Sequence, residues 1–415
     1  MKPIRAPAND DTPGSEQEGA QQAASIFTSR WFILAVLVLA RTAVAFQFQS
    51  VAAVGPLLVD DLGIDFALLG LIVGLYMLPG IIIAPPGGLL GQRFGDKRVA
   101  VVGLSLMTFG GLTMGLSADP TLFVASRIVS GVGAILLNVL LAKMVADWFA
   151  SRDTAVAMGF FLMSWPVGLG LALVILAPLG ESFGSSLPMI LTALTSAGAL
   201  VLMIIFYRPP LGLPKQVGSF RIDLSGREWT LTVLAGIIYA SFNLGFVLAL
   251  VFGPSLLFET GYSHAQAGII TSAALWVCAP ALIVGGYFGE RFNRPNMIMA
   301  TCFLLGSAAV GAIATGAMPL LWFALLGLLV GLPAGLSMKL PVTVLAPQNR
   351  SVGMGIFLAC FYAGMAALPP LAGLLREGTG SPTAPLWLAS GTFVVAALCL
   401  GLFRAVQSGA KDALD

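Results

Sequence analysis

The sequence predicts an all-α membrane protein, with twelve transmembrane helices set out as two pseudo-symmetric six-helix bundles. Hydrophobic residues make up 58% of the chain against 10% charged, and mean hydropathy is +0.94. A water-facing surface needs far more charge than that, so lipid is the solvent for most of the chain. A bilayer-crossing helix takes about 20 apolar residues, and runs of that length recur twelve times. The second six of these runs match the first six at a nearly fixed offset.

Reading apolar runs against Gly, Pro and charge breaks places the spans near 31–57, 66–90, 99–118, 121–146, 154–178, 186–206, 229–257, 264–288, 297–316, 319–345, 351–375 and 384–404. Residues 1–30, rich in Gln, Ala and acidic groups, read as a polar, mobile tail. The apolar run from Trp31 is too long for a signal-peptide core and lacks a cleavage site, so it stays as the first span. The longest polar break is 207–228, with Pro209, Pro210 and Pro214. It forms a central loop between an N-terminal bundle (31–206) and a C-terminal bundle (229–404), and 405–415 is a second tail.

Lys and Arg set the orientation. With the N-terminus in the cytoplasm, the cytoplasmic segments hold sixteen of them and the outer loops only Arg376. Cytoplasmic loops of membrane proteins carry that excess. Both termini are therefore expected on the cytoplasmic side of a bacterial inner membrane. A net charge of +2 points to no nucleic-acid partner. The four cysteines (Cys278, Cys302, Cys360, Cys399) sit in apolar runs without metal-ligand spacing and read as packing residues. With one histidine and no nucleophile–base pair, neither an enzyme nor a cofactor or metal is expected. The expected partners are the bilayer and a small anionic substrate, and the chain is expected to be a monomer.

Four cations remain inside the spans: Arg41, Arg127, Lys143 and Lys339. Asp and Glu fall only at span ends, loops and tails. An intramembrane charge costs about 2.5–3.5 kcal/mol even on the lenient insertion scale. With no carboxylate at the same depth, backbone carbonyls, water or an anionic ligand must answer these charges.

The internal repeat is explicit. At a shift of 198, Gly55-Pro56 falls on Gly253-Pro254, Gly70 on Gly268, and GLLGQRFGDKR from Gly88 on GYFGERFNRPN from Gly286. At 196, Met158-Gly159 meets Met354-Gly355, Gly168 meets Gly364, and Lys143 meets Lys339. Parallel six-helix repeats about an axis along the membrane normal characterise one large transporter class. On these residues the chain resembles the major facilitator superfamily over its whole spanning length. That family's loop signature between the second and third spans, Gly-x-x-x-Asp-Arg/Lys-x-Gly-x-Arg/Lys-Arg/Lys, reads here Gly88, Gln92, Arg93, Gly95, Lys97, Arg98. Gln92 stands where the family carries Asp, whereas the second copy keeps an acid, Glu290, beside Arg291. The resemblance implies that this loop latches the cytoplasmic side. A second signature, Arg-x-x-x-Gly-x-Gly-Ala, matches Arg127, Gly131, Gly133 and Ala134. A shorter stretch, Asn138 to Phe149, resembles the fourth span of the cyanate and nitroimidazole permease group.

The resemblance implies alternating access, with the first, fourth, seventh and tenth spans lining the path. Arg41 lies ten residues into its span, about 15 Å deep at 1.5 Å per residue. It is expected to face the cavity and bind an anion; the bland alternative ties it to the carbonyls of a broken helix. Lys143 and Lys339 either clamp the anion from both halves or, for Lys143 above all, snorkel to the interface near Asp147. Arg127 is placed equally well as a gating residue or as a substrate contact. The shift of 198 sets Tyr239 opposite Arg41, with Asn243 one turn on. Asn138, Trp165, Phe361 and Tyr362 complete the expected cavity, although core packing explains any single aromatic as well. Gln47 and Gln49 either cap the end of the first span or reach the ligand.

The reading is a secondary transporter for a small anion, an organic carboxylate or an inorganic ion, working as exchanger, uniporter or symporter. Drug or metabolite efflux on the same fold is the alternative. It would want a cavity acid and the Gly-Pro-x-x-Gly-Gly signature in the fifth span, where this chain has Trp165 and Leu169 in place of two glycines. A non-transporting sensor would want a longer soluble loop or tail than this chain carries.

Overall fold

The computed structural model describes residues 29–149, 154–210, 224–291, 294–346 and 349–408, without the side chains of 85–89, 92, 154, 155, 286–291, 350 and 351. The polar tails 1–28 and 409–415 and most of the central loop fall outside it. Among the described residues, twelve helices are long and apolar enough to cross a membrane.

Spans 1 to 6 run over Arg30–Ala53, 66–94, Asp96–Leu116, Pro120–Trp148, Thr154–Phe183 and Ser186–Phe206. Spans 7 to 12 run over Gly226–Glu259, His264–Arg291, Pro295–Ala314, Pro319–Lys339, Arg350–Thr379 and Ala384–Ser408. Both described chain ends lie at one end of the bundle, the near end; the opposite one is the far end.

The differences from the expected spans have local causes. The helix of span 1 stops at Ala53 instead of running to 57, because Pro56 lacks an N–H and starts a separate short helix, Gly55–Leu62. Span 2 is two helical pieces, Phe66–Leu75 and Gly80–Phe94, joined by turns ahead of and through Pro79. Span 7 begins at Gly226 rather than 229. Ser225 and Glu228 form a capping box there, each satisfying an otherwise orphaned backbone N–H of the other's turn. Span 10 tightens into a 3₁₀ turn over Pro341–Thr343.

Packing follows the repeat. Span 1 packs on spans 5 and 6, span 2 on span 4, and span 3 on spans 4 and 6. The same pairs recur six spans later: 7 on 11 and 12, 8 on 10, and 9 on 10 and 12. The halves meet chiefly where span 2 crosses span 11 and span 5 crosses span 8. Both crossings depend on a glycine. A Cβ on Gly70 would collide with the backbone carbonyl of Pro369, and one on its repeat mate Gly268 with the carbonyl of Leu173. Small residues let membrane helices approach at backbone distance, which is what holds such interfaces where lipid removes the hydrophobic drive.

Candidate functional site

Arg41 on span 1 sits between the halves. Its guanidinium carbon lies 4.2 Å from the ring centroid of Phe161 and 5.8 Å from that of Trp165, both on span 5. From the other half, Tyr239 on span 7 and Tyr362 on span 11 are its electrostatic neighbours. Its Nε is buried and has no hydrogen-bond partner among the described residues.

Arg127 on span 4 is the informative contrast. It is fully buried, and its Nε, Nη1 and Nη2 donate to the backbone carbonyls of Ile72 (3.2 Å), Gln47 (2.9 Å) and Phe48 (2.7 Å). Its guanidinium also lies 4.2 Å from the centroid of Tyr76. Charged hydrogen bonds are worth about 1.5–3 kcal/mol each, so three of them offset most of the several-kcal/mol cost of burying the ion. Arg127 thus pins spans 1, 2 and 4 together, the carbonyl-tied arrangement that was the bland alternative for Arg41. Arg41 itself has ring contacts instead. Cation–π contacts give about 0.5–2 kcal/mol, which does not cover desolvation.

The rings repeat with the fold. Tyr239 occupies the position equivalent to Arg41 and packs on Phe357 (5.0 Å) and Phe361 (5.4 Å), as Arg41 packs on Phe161 and Trp165. Phe361 also contacts Tyr362 (5.4 Å), and Trp165 contacts Phe48 (5.9 Å). Phe161 and Phe357 are fully buried, whereas Trp165 and Phe361 are part-exposed. Phe161 and Phe357 are absent from the expected cavity, yet the shift of 196 that pairs Trp165 with Phe361 pairs them too. Asn243 donates to the carbonyl of Tyr239 one turn back (2.8 Å), and Asn138 is half-buried on span 4.

The two lysines do not join Arg41. Lys143 is held 2.5 Å from Asp96, at the first turn of span 3, and 3.5 Å from Asp147. The expectation that no carboxylate answers it is therefore corrected. Asp96 stands four residues after Gln92, so the acid lacking at 92 is supplied at the start of the next helix. Gly91 makes room for it, since a Cβ there would clash with the Asp96 carboxylate. Lys339 is exposed at the last residue of the span 10 helix. At 1.5 Å per residue, eleven residues separate Arg41 from the near end of its own span, so it and Lys339 differ in depth by roughly 17 Å. A clamp of all three on one small anion does not fit this spacing.

Of the loop signature, Arg93 and Arg98 are exposed at the near end, and Gly95 takes a φ of 88° between two helices. The side chains of Gly88, Gln92, Glu290 and Arg291 lie outside those described. Gln47 is buried and reaches the Met107 carbonyl (3.0 Å), with Tyr76 donating to it (3.4 Å); Gln49 bonds across the halves to the Leu250 carbonyl (3.3 Å). Both glutamines are structural connectors here.

At the far end two carboxylates reach across the halves. Glu377, at the end of span 11, accepts from the N–H of Phe66 at the start of span 2 (2.8 Å). Its repeat mate Glu181, at the end of span 5, accepts from Ala265 at the start of span 8 (3.1 Å). Arg376 pairs with Glu259 and stacks on Phe66, 3.5 Å from the ring centroid.

With this architecture in view, the comparison is direct: residues 37–258 and 231–413 match the Major Facilitator Superfamily, and the chain belongs to that family of transporters. It is a multi-pass membrane protein. It is similar to the 2-nitroimidazole transporter of Escherichia coli, 24% identical over 91% of this chain and 98% of that one. It is also similar to the uncharacterized transporter YycB of Bacillus subtilis, 23% identical over 88% and 92%. Among solved structures, the D-xylose–proton symporter shares the fold, with a TM-score of 0.74, 16% identity and coverage of 90% and 97%.

Proposed function

We infer that the chain moves a small anion across a bacterial inner membrane by alternating access, with Arg41 as the charge that binds it. The observation that carries this reading is the difference between two arginines inside the spans. Arg127 has three backbone carbonyls; Arg41 has a buried Nε without a partner and no carboxylate paired with it among the described residues. A part-buried cation with an unpartnered Nε at the junction of the halves is stabilised when an anion neutralises it.

The far-end bonds of Glu377, Glu181 and Gln49 favour a closed far side, so this conformation reads as the one open at the near end, which the Lys and Arg distribution assigns to the cytoplasm. Lys339, exposed at that mouth, raises the local anion concentration on the approach path. Lys143, held by Asp96, joins the near-end latch with Arg93 and Arg98 instead of the binding site. The relative named for 2-nitroimidazole carries a flat ring with an oxygen-rich nitro group. A cargo of that shape suits a ring-lined site around one cation. The monomer suffices for this cycle, since both halves of the path come from one chain.

The test is uptake in proteoliposomes. Arg41→Ala is expected to abolish transport while remaining folded and inserted, judged by size-exclusion behaviour and melting. Undiminished transport by that variant would remove the assignment.

A further inference from the structure

Resting on the anion reading, we propose that the cargo is an organic anion with a flat, unsaturated body, held between the two repeat-related ring pairs, and that this ring box selects against saturated and inorganic anions. Four observations lead there. First, the Arg41 guanidinium carbon lies over Phe161, 4.2 Å from the ring centroid, and 5.8 Å from that of Trp165. Ring contacts use none of the N–H donors, which can still meet a carboxylate-like group. Second, the opposite half presents the same arrangement with a phenol in place of the cation, Tyr239 on Phe357 and Phe361.

Third, exposure is divided within each pair. Phe161 and Phe357 are fully buried and act as backing, while Trp165 and Phe361 keep part of their surface free for a ligand. Fourth, no acidic side chain pairs with Arg41 among the described residues, so the site's polarity is one cation on one wall and phenol oxygens, from Tyr239 and Tyr362, on the other. A small hydrated ion such as nitrate could neutralise Arg41 but would leave the rings facing water. A flat anion uses both features: its charged end meets Arg41 and its π faces meet the rings, which prefer offset or edge contacts.

The test compares two six-membered-ring carboxylates, one flat and aromatic, the other puckered and saturated. Purified full-length protein is melted with increasing benzoate, cyclohexanecarboxylate, acetate or nitrate at constant ionic strength, and apparent Kd is read from the shift. Benzoate is expected to bind about tenfold more tightly than cyclohexanecarboxylate, the gain of one or two ring contacts of ordinary strength. Trp165→Leu and Phe361→Leu are expected to erase that difference while carboxylate binding persists. Equal affinity for the flat and puckered rings, or tighter binding of nitrate or acetate, overturns the ring-box proposal and leaves the anion reading standing. Absence of a shift with all four anions overturns both.

Discussion

Two intramembrane arginines of the same half, Arg127 fully buried and Arg41 part-buried, differ in what their nitrogens meet. Arg127 donates to carbonyls of Gln47, Phe48 and Ile72 and so holds spans together. Arg127→Lys keeps the charge but loses the planar fork. It is expected to cost about 1–3 kcal/mol of stability, read as a lower melting temperature, with anion affinity of the folded protein unchanged. Lys143→Met separates the two readings of that lysine. With Asp96 and Asp147 as its partners, the change is expected to leave ligand Kd within about twofold, the size of an exposed-pair effect. A tenfold loss of affinity would return Lys143 to the binding site. At this scale the sequence was partly legible. Depth along span 1 singled out Arg41, and the repeat singled out Tyr239. The Asp96 partner of Lys143 was not legible, because it lies 47 positions away and is brought close by the packing of span 3 on span 4.

Among the elements, the crossings of span 2 on 11 and span 5 on 8 join the halves and are copies of each other, and on the alternating-access proposal they are the moving joints. Gly70 and Gly268 bring backbone to backbone at these joints. Gly70→Val is expected to wedge the far end apart, read as a longer spin-label distance between positions near 63 and 380. Glu377 and Glu181 each close a helix N-terminus of the opposite half. Carboxylates at such positions contribute a few tenths to one kcal/mol. Glu377→Gln is therefore expected to shift the far-closed population by about two- to fivefold in the same distance measurement, and the double change with Glu181→Gln by more. An unchanged distribution in the double variant would show that the far end is closed by packing alone. Neither glutamate stood out beforehand, although Glu181 and Glu377 are repeat mates at the shift of 196. Their partners are backbone N–H groups, which leave no mark in a residue pattern. Span existence was legible because twenty-residue hydrophobicity needs no tertiary information. The break at residues 76–79 was not, since a helix and a turned connection of equal hydropathy look alike until neighbours fix the backbone.

For the whole molecule, the repeat explains why the proposed binding region is asymmetric in charge yet carries matching ring pairs. One ancestral arrangement of a side chain on spans 1 and 7 against two rings on spans 5 and 11 now carries Arg41 in one copy and Tyr239 in the other. On the proposed cycle, the cargo neutralises Arg41 before the halves close over it, because occluding a bare guanidinium would carry the full desolvation cost. Ligand-linked melting of wild type and Arg41→Ala with a panel of small anions tests this most directly. An anion at a hundred times its Kd should stabilise the wild type by about 2.7 kcal/mol and leave a folded Arg41→Ala unshifted. An equal shift in Arg41→Ala would contradict it.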